Sequence, residues 1–141
     1  MYLRTLGGVV VPDRSFHRPK PLLLLAYLAL EGATPRRYLA ELFWPSAANP
    51  RQSLATALSQ LRSGLPGSVE GDAGRAWTSV ACDAAQFLDA VTNQQWQQAA
   101  ELYAGTFMDG VDVDGGNVEL EEWLFAKRES LAARAVVAFV A

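Results

Sequence analysis

The stretch NPRQSLATALSQLRSGLP, residues 49–66, decides how the chain is read. Asn49 ahead of Pro50 places a capping side chain before a residue suited to the first helical position, and Gln52 follows Asn49 by three, as in a capping box. Leu54, Leu58, Leu61 and Leu65 recur at helical spacing and form one apolar stripe. A helix is therefore expected from Pro50 to Ser63, terminated by Gly64 and Pro66. Opposite the stripe fall Gln52, Thr56, Ser59 and Ser63, none of them large or apolar. Such a face suits the major groove of DNA. Glutamine pairs bidentately with adenine, threonine offers a hydroxyl and a methyl, and serine permits close approach. Arg51 and Arg62 flank the face at angles that reach phosphates rather than bases. Any amphipathic surface helix also shows a polar outer face, so the surrounding chain has to decide between the two readings.

Upstream, Thr34-Pro35 repeats the capping device, and Tyr38, Leu39, Leu42 and Phe43 continue at helical spacing up to Trp44-Pro45. Arg36 and Arg37 begin that second helix, where it would cross a DNA backbone and where backbone amides could also accept a phosphate. The short connection Pro45 to Asn49 has the length of the turn in a helix-turn-helix. Before it, Pro19-Lys20-Pro21 opens a leucine-rich helix that ends at Glu31-Gly32. The first residues, Leu3 to Leu6 and Val9 to Val11, are short apolar runs broken by Gly7-Gly8. With the turn at Pro12-Asp13-Arg14 they read as a small antiparallel sheet. Downstream, Gly67 to Val80 reads as a hairpin, with its turn at Gly71-Asp72-Ala73-Gly74 and a strand at Trp77 to Val80.

From residue 82 the pattern is helical. Asp83 to Gln86 and Thr92 to Gln95 look like two further capping boxes, each opening one of a pair of antiparallel helices. A loop rich in Asp and Gly, Met108 to Asn117, leads to a long helix from Glu119, whose acids complement the dipole at its start. That helix is still apolar at Val136, Val137, Phe139 and Val140 and has no cap, so the helical segment is expected to be truncated at Ala141. The fold class expected is α+β: a winged helix with an N-terminal β-sheet over residues 1–81, then the start of an all-α, tetratricopeptide-like segment over 82–141.

Net charge sharpens this division. The whole chain carries −3, which looks wrong for a nucleic-acid binder. Residues 1–67 hold eight cations against Asp13, Glu31 and Glu41, a balance of +5, whereas residues 68–141 hold four cations against twelve acids, a balance of −8. The single Cys82 and single His17 exclude an internal disulfide and a zinc site of the usual four-ligand type. The longest apolar run, Leu22 to Leu30, falls far short of the roughly 20 residues that span a bilayer, and the N-terminus lacks signal-peptide features. A cytoplasmic protein without membrane contact is expected.

The segments LRTLGGVVV, RPKPLLLLAYLALEG, LAELFWP, NPRQSLATALSQLRSGLP, AELYAGTFMDG and LEEWLFAKRESL, in this order, resemble the SARP and related family of bacterial transcriptional activators. That resemblance covers nearly the whole chain. It implies an OmpR-type winged helix joined to a bacterial transcriptional activator domain (BTAD) of tetratricopeptide-like helices. Pro50 to Ser63 then matches the recognition helix, so Arg51, Gln52, Thr56 and Ser59 inherit an expectation of DNA contact, with Arg62, Arg36, Arg37 and Arg75 in support. Gly67 to Val80 matches the wing, where the sequence departs: Arg75 is its one basic residue, while Glu70 and Asp72 would repel phosphate. The partners implied are double-stranded DNA, a second copy of the chain on a repeated site, and RNA polymerase.

Other chemistry is poorly supported. Asp112, Asp114, Gly115 and Glu121 occupy EF-hand positions three, five, six and twelve, but Gly110 stands at position one, where a carboxylate is needed. A solvated acidic loop is expected instead, with no metal and no cofactor. His17 has no nucleophile or acid in catalytic spacing, and Gly7-Gly8 lacks the remainder of a phosphate-binding motif. A binder rather than an enzyme is expected. The alternative from a different class is a helical-repeat scaffold whose winged helix contacts protein instead of DNA.

Overall fold

The computed structural model describes residues 1–113 and 117–141. It is an α+β arrangement of six helices and five short strands among those residues. Helix α1 (Pro19–Glu31) is central: every residue from Pro21 to Leu28 is buried, as its unbroken apolar run requires. Gly32 closes it with φ 82°, a left-handed conformation that favours glycine, and its amide donates to Leu28 O. Helices α2 (Arg36–Phe43) and α3 (Pro50–Gly64) pack on each other and on α1 through Leu39, Leu42, Phe43, Leu54, Leu58 and Leu61.

A three-stranded antiparallel sheet flanks them, in the order β2 (Thr34–Pro35), β4 (Arg75–Trp77), β3 (Glu70–Gly71). The hairpin thus turns at Asp72–Gly74, where Asp72 Oδ1 accepts from the amides of Gly74 and Arg75, both at 2.8 Å. Its returning strand lies two residues earlier than Trp77 to Val80 suggested. Thr34 differs as well. Instead of capping α2, it runs as strand opposite Ala76 and turns its hydroxyl back to Gly32 O at 2.8 Å. The free amide at the start of α2 is taken up by the hairpin, Arg36 N donating to Gly74 O at 2.9 Å.

The N-terminal residues are tied to the second half of the chain. Arg4 and Val10 form an antiparallel bridge, but strand β1 (Tyr2–Leu3) pairs parallel with β5 (Ala81–Cys82), a partner 79 residues away in the register Tyr2↔Ala81. Beyond it Leu6 bridges Phe107, and Gly7 N donates to Thr106 O at 2.9 Å. Asp83, the first residue of α4 (Asp83–Thr92), makes no capping box. Its buried carboxylate accepts from Thr5 N, Thr5 Oγ1 and Leu6 N, besides Ala84 N. Thr92 likewise ends α4 rather than opening α5 (Trp96–Leu102). The turn between them closes on backbone bonds such as Gln95 N to Ala90 O at 2.8 Å.

Helix α6 (Val118–Val140) is capped by Asn117, whose side chain accepts from Leu120 N, packs on α5, α4 and α2, and reaches α1 through its side chains. Trp123 stacks on Tyr27, and Glu31 receives both the Trp123 indole at 3.2 Å and Lys127 at 3.1 Å. Arg128 donates to the carbonyls of Phe107, Met108 and Val111, the turn with which the acidic loop begins. One cluster of buried side chains therefore runs from Leu3 to Ala138 across residue 82. Among the described residues no helix is long and apolar enough to cross a membrane.

Candidate nucleic-acid interface

Helix α3 is built much as its sequence dictates. Asn49 Oδ1 accepts from Gln52 N at 3.1 Å, and Leu54, Ala57, Leu58 and Leu61 are buried. Gln52, Thr56, Ser59 and Ser63 lie exposed on the other side, with Arg51 and Arg62 also exposed. Gly64 belongs to the helix rather than stopping it. A Cβ there would fall 2.2 Å from the Phe16 ring, so the bare backbone is what lets Phe16 pack over the last turn.

Arg36, Arg37 and Arg51 come together from the starts of two helices. With Pro35, Leu54, Ala73 and Gly74 they line a notch of about 270 Å³ whose far wall is the tip of the hairpin. Arg37 and Arg51 are exposed, and Arg36 is half-buried. Arg62 stands eleven residues after Arg51 on the same flank of α3, about 16 Å along the axis, outside the notch. Arg75 is paired through its backbone with Pro35 on the sheet and is also outside it.

The hairpin carries its own acids in defined places. Two amide hydrogen bonds, assisted by the nearby Arg36 and Arg75 guanidinium groups, hold the Asp72 carboxyl below the usual carboxylate range. Glu70 Oε2 accepts from the Trp77 indole at 3.0 Å.

On the opposite flank of α3, Thr56 shares a second cavity of about 300 Å³ with Lys20, Pro21, Trp44, Ser53, Ala57 and Gln60. Lys20 Nζ stands 4.9 Å from the centroid of the Trp44 ring. Lys20 is absent from the expected set of contacts. Its place at the first turn of α1, facing the turn between α2 and α3, depends on tertiary packing that no local spacing encodes. His17 is exposed. Of the acidic-loop ligands considered for calcium, Asp114 and Gly115 lie outside the described residues. Among the described residues no group of three or more His, Cys, Asp or Glu side chains is placed to hold a metal ion.

No family model matches the chain, and no curated protein matches it either. One solved structure, Mycobacterium tuberculosis EmbR in complex with a low affinity phosphopeptide, superposes with a TM-score of 0.66 over 97% of this chain. The fold is similar to that of EmbR. Sequence identity is 18%, a level at which the likeness speaks for the fold alone. This chain spans 43% of that chain, less than half its length.

Proposed function

We propose that the chain is a sequence-specific DNA-binding transcriptional regulator, an activator of the SARP/BTAD type, and not an enzyme. In this reading residues 1–81 are the winged helix, α3 is the recognition helix, and residues 82–141 begin the activator domain that packs behind it. The observation that carries the reading is the free face of α3: Gln52, Thr56 and Ser59 stand in solvent while the side chains of Arg37, Arg51 and Arg62 have no hydrogen-bond or ion-pair partner among the described residues. Cations held unpaired beside a small polar face suit phosphates on either side of base edges. Support also comes from the order of the sequence motifs and from the fold shared with EmbR.

Gln52 would pair with adenine, Thr56 would read a thymine methyl, and Ser59 would allow the helix to approach closely. Such a protein acts in the cytoplasm on duplex DNA and, as an activator, meets RNA polymerase. A second copy on a repeated site would supply affinity that one module lacks.

The test is fluorescence anisotropy of a mixed duplex library with the intact chain across a salt series. With three to four phosphate contacts, log K should fall against log salt with a slope of about −3. Arg51→Ala should weaken binding and flatten the slope. No binding at low salt, or binding indifferent to salt and to Arg51, would overturn the reading. A second reading, protein contact through the hairpin, is favoured by one observation: Glu70 and Asp72 on the hairpin are exposed and repel phosphate.

A further inference from the structure

We propose that the notch between the starts of α2 and α3 and the hairpin tip is a built seat for one tetrahedral oxyanion. Its occupant is a backbone phosphodiester of duplex DNA, its ligands are Arg37 and Arg51, and Arg36 is the positioning residue that fixes its wall. The identity of the occupant rests on the DNA-binding reading, whereas the chemistry of the seat does not.

Three arginines line this cavity and no carboxylate does. Convergent guanidinium groups repel one another in the free protein, and a bound anion relieves that repulsion. Asp72, on the hairpin, senses Arg36 and Arg75, but its Oδ1 is already committed to the amides of Gly74 and Arg75. Arg37 and Arg51 are thus left with planar forks of donors, a geometry that matches phosphate oxygens.

Arg36 has a different part. Its backbone amide donates to Gly74 O, and Nη2 lies 2.9 Å from where a Cβ on Gly71 would sit. The same Cβ would be 2.7 Å from Arg75 O, so a bare glycine is what lets the guanidinium lie against the hairpin. The residue therefore ties α2 to the hairpin through its main chain, while its side chain lies against the hairpin. Its Nε is buried and has no hydrogen-bond partner among the described residues, a cost that other parts of the fold carry to keep this side chain in place.

The site flanks the free face of α3, since Arg51 immediately precedes Gln52. A phosphate seated there would fix the register in which Gln52 meets the bases.

Inorganic phosphate is the probe for the seat, titrated into the intact chain in chloride buffer and followed by the NMR signals of the Arg37, Arg51 and Gly74 amides and the arginine side chains. Saturable shifts confined to these residues, lost in Arg51→Ala, are expected. In parallel, Arg51→Ala should reduce the salt slope for DNA by about 1. Arg36→Lys keeps the charge but loses the fork. It should displace the Gly74 signals and weaken DNA binding several-fold while leaving the slope within half a unit of wild type, a pattern that a lost phosphate contact would not give. Shifts spread equally over Arg4 and Arg14, or shifts that persist in Arg51→Ala, would overturn the seat even where DNA binds. Phosphate captured in the seat by a chain that binds no DNA would overturn the phosphodiester assignment and the proposed function together, leaving a site for free oxyanions.

Discussion

Asp83 Oδ1 stands 2.7 Å from both the amide nitrogen and the hydroxyl of Thr5, and its Oδ2 stands 2.9 Å from the Leu6 amide. Thr5 is fully buried and Asp83 nearly so. This carboxylate, at the start of α4, takes up the amides that the N-terminal residues leave open where they cross from β1 to the bridge with Phe107. Asp83→Ala would strand three buried amides, those of Thr5, Leu6 and Ala84, and a hydroxyl, and each such group left unpaired costs about 1–3 kcal/mol. The expected loss is ~3 kcal/mol, or a fall in Tm of roughly 10 °C for a chain of this length. Asp83→Asn puts one acceptor oxygen and one donor nitrogen where four donors converge, and should lose ~2 kcal/mol. Urea unfolding checks both. A loss below half a kcal/mol for the alanine variant would show that the bonds do not hold the two halves together.

Gly64 and Phe16 give a second test. A Cβ at residue 64 would meet the Phe16 ring at 2.2 Å and 2.8 Å, distances that force one of the two to move. Gly64→Ala gains helix propensity of up to ~1 kcal/mol but should lose more to overpacking, for a net destabilisation of ~1 kcal/mol. The double variant Phe16→Leu, Gly64→Ala should recover part of that loss, giving a coupling energy that a thermodynamic cycle measures. Additivity of the two changes would mean that the ring turns aside freely.

The Tyr38 hydroxyl donates to Glu119 Oε1 at 2.5 Å and so joins α2 to the first turn of α6. That hydrogen bond, with burial second, raises the Tyr38 pKa above the ordinary tyrosine value of 10.0. Above pH 10 the unfolded chain gives up this proton before the folded one does, so folding stability falls as pH rises. The contribution is complete below pH 10 and is lost as pH rises towards the folded value. Tyr38→Phe should therefore cost about 0.5–1 kcal/mol at pH 7 to 9, and the gap should narrow above pH 10. Urea unfolding of both proteins at a series of pH values reads this directly. A gap that does not change with alkaline pH would show that the hydroxyl does not titrate in the way the hydrogen bond requires.

These cases also mark where the amino-acid sequence is informative. Helix α3 was legible because its cap and its leucine stripe are local, and the exposed set Gln52, Thr56 and Ser59 follows from the period alone. Thr34 and Asp83 misled for a common reason. Each has the residue type of a cap, but a distant partner competes for the same groups: the Gly74 carbonyl at α2, and the Thr5 and Leu6 amides at α4. The parallel pairing of β1 with β5 and the hold of Arg128 on three carbonyls of the 107–111 turn leave no periodic trace. Within the candidate site, helical spacing points to Arg51 and Arg62 and the start of the second helix to Arg36 and Arg37, but neither gives their grouping. Arg36, Arg37 and Arg51 share a notch, while Arg62 and Arg75 lie apart from it.

Glu70 on the hairpin allows the two functional readings to be separated with one side chain. It is exposed, and Oε2 accepts from the Trp77 indole at 3.0 Å, so Glu70→Gln removes the charge and keeps an acceptor for that bond. Asp72 is the poorer choice, because its carboxylate holds the two amides that form the turn. One unit charge about 8 Å from a phosphate in water is worth roughly 0.5 kcal/mol. If the hairpin faces DNA, Glu70→Gln should raise affinity about two- to three-fold at low salt, with the gain fading as salt approaches 0.15 M and screening shortens its reach. If the hairpin faces a protein partner instead, DNA affinity should stay the same at every salt concentration. Anisotropy on the variant and the wild type, with the hairpin fold checked by the Trp77 indole signal, decides between them. A decrease in affinity would contradict both, since it would require the carboxylate itself to contribute to holding the nucleic acid.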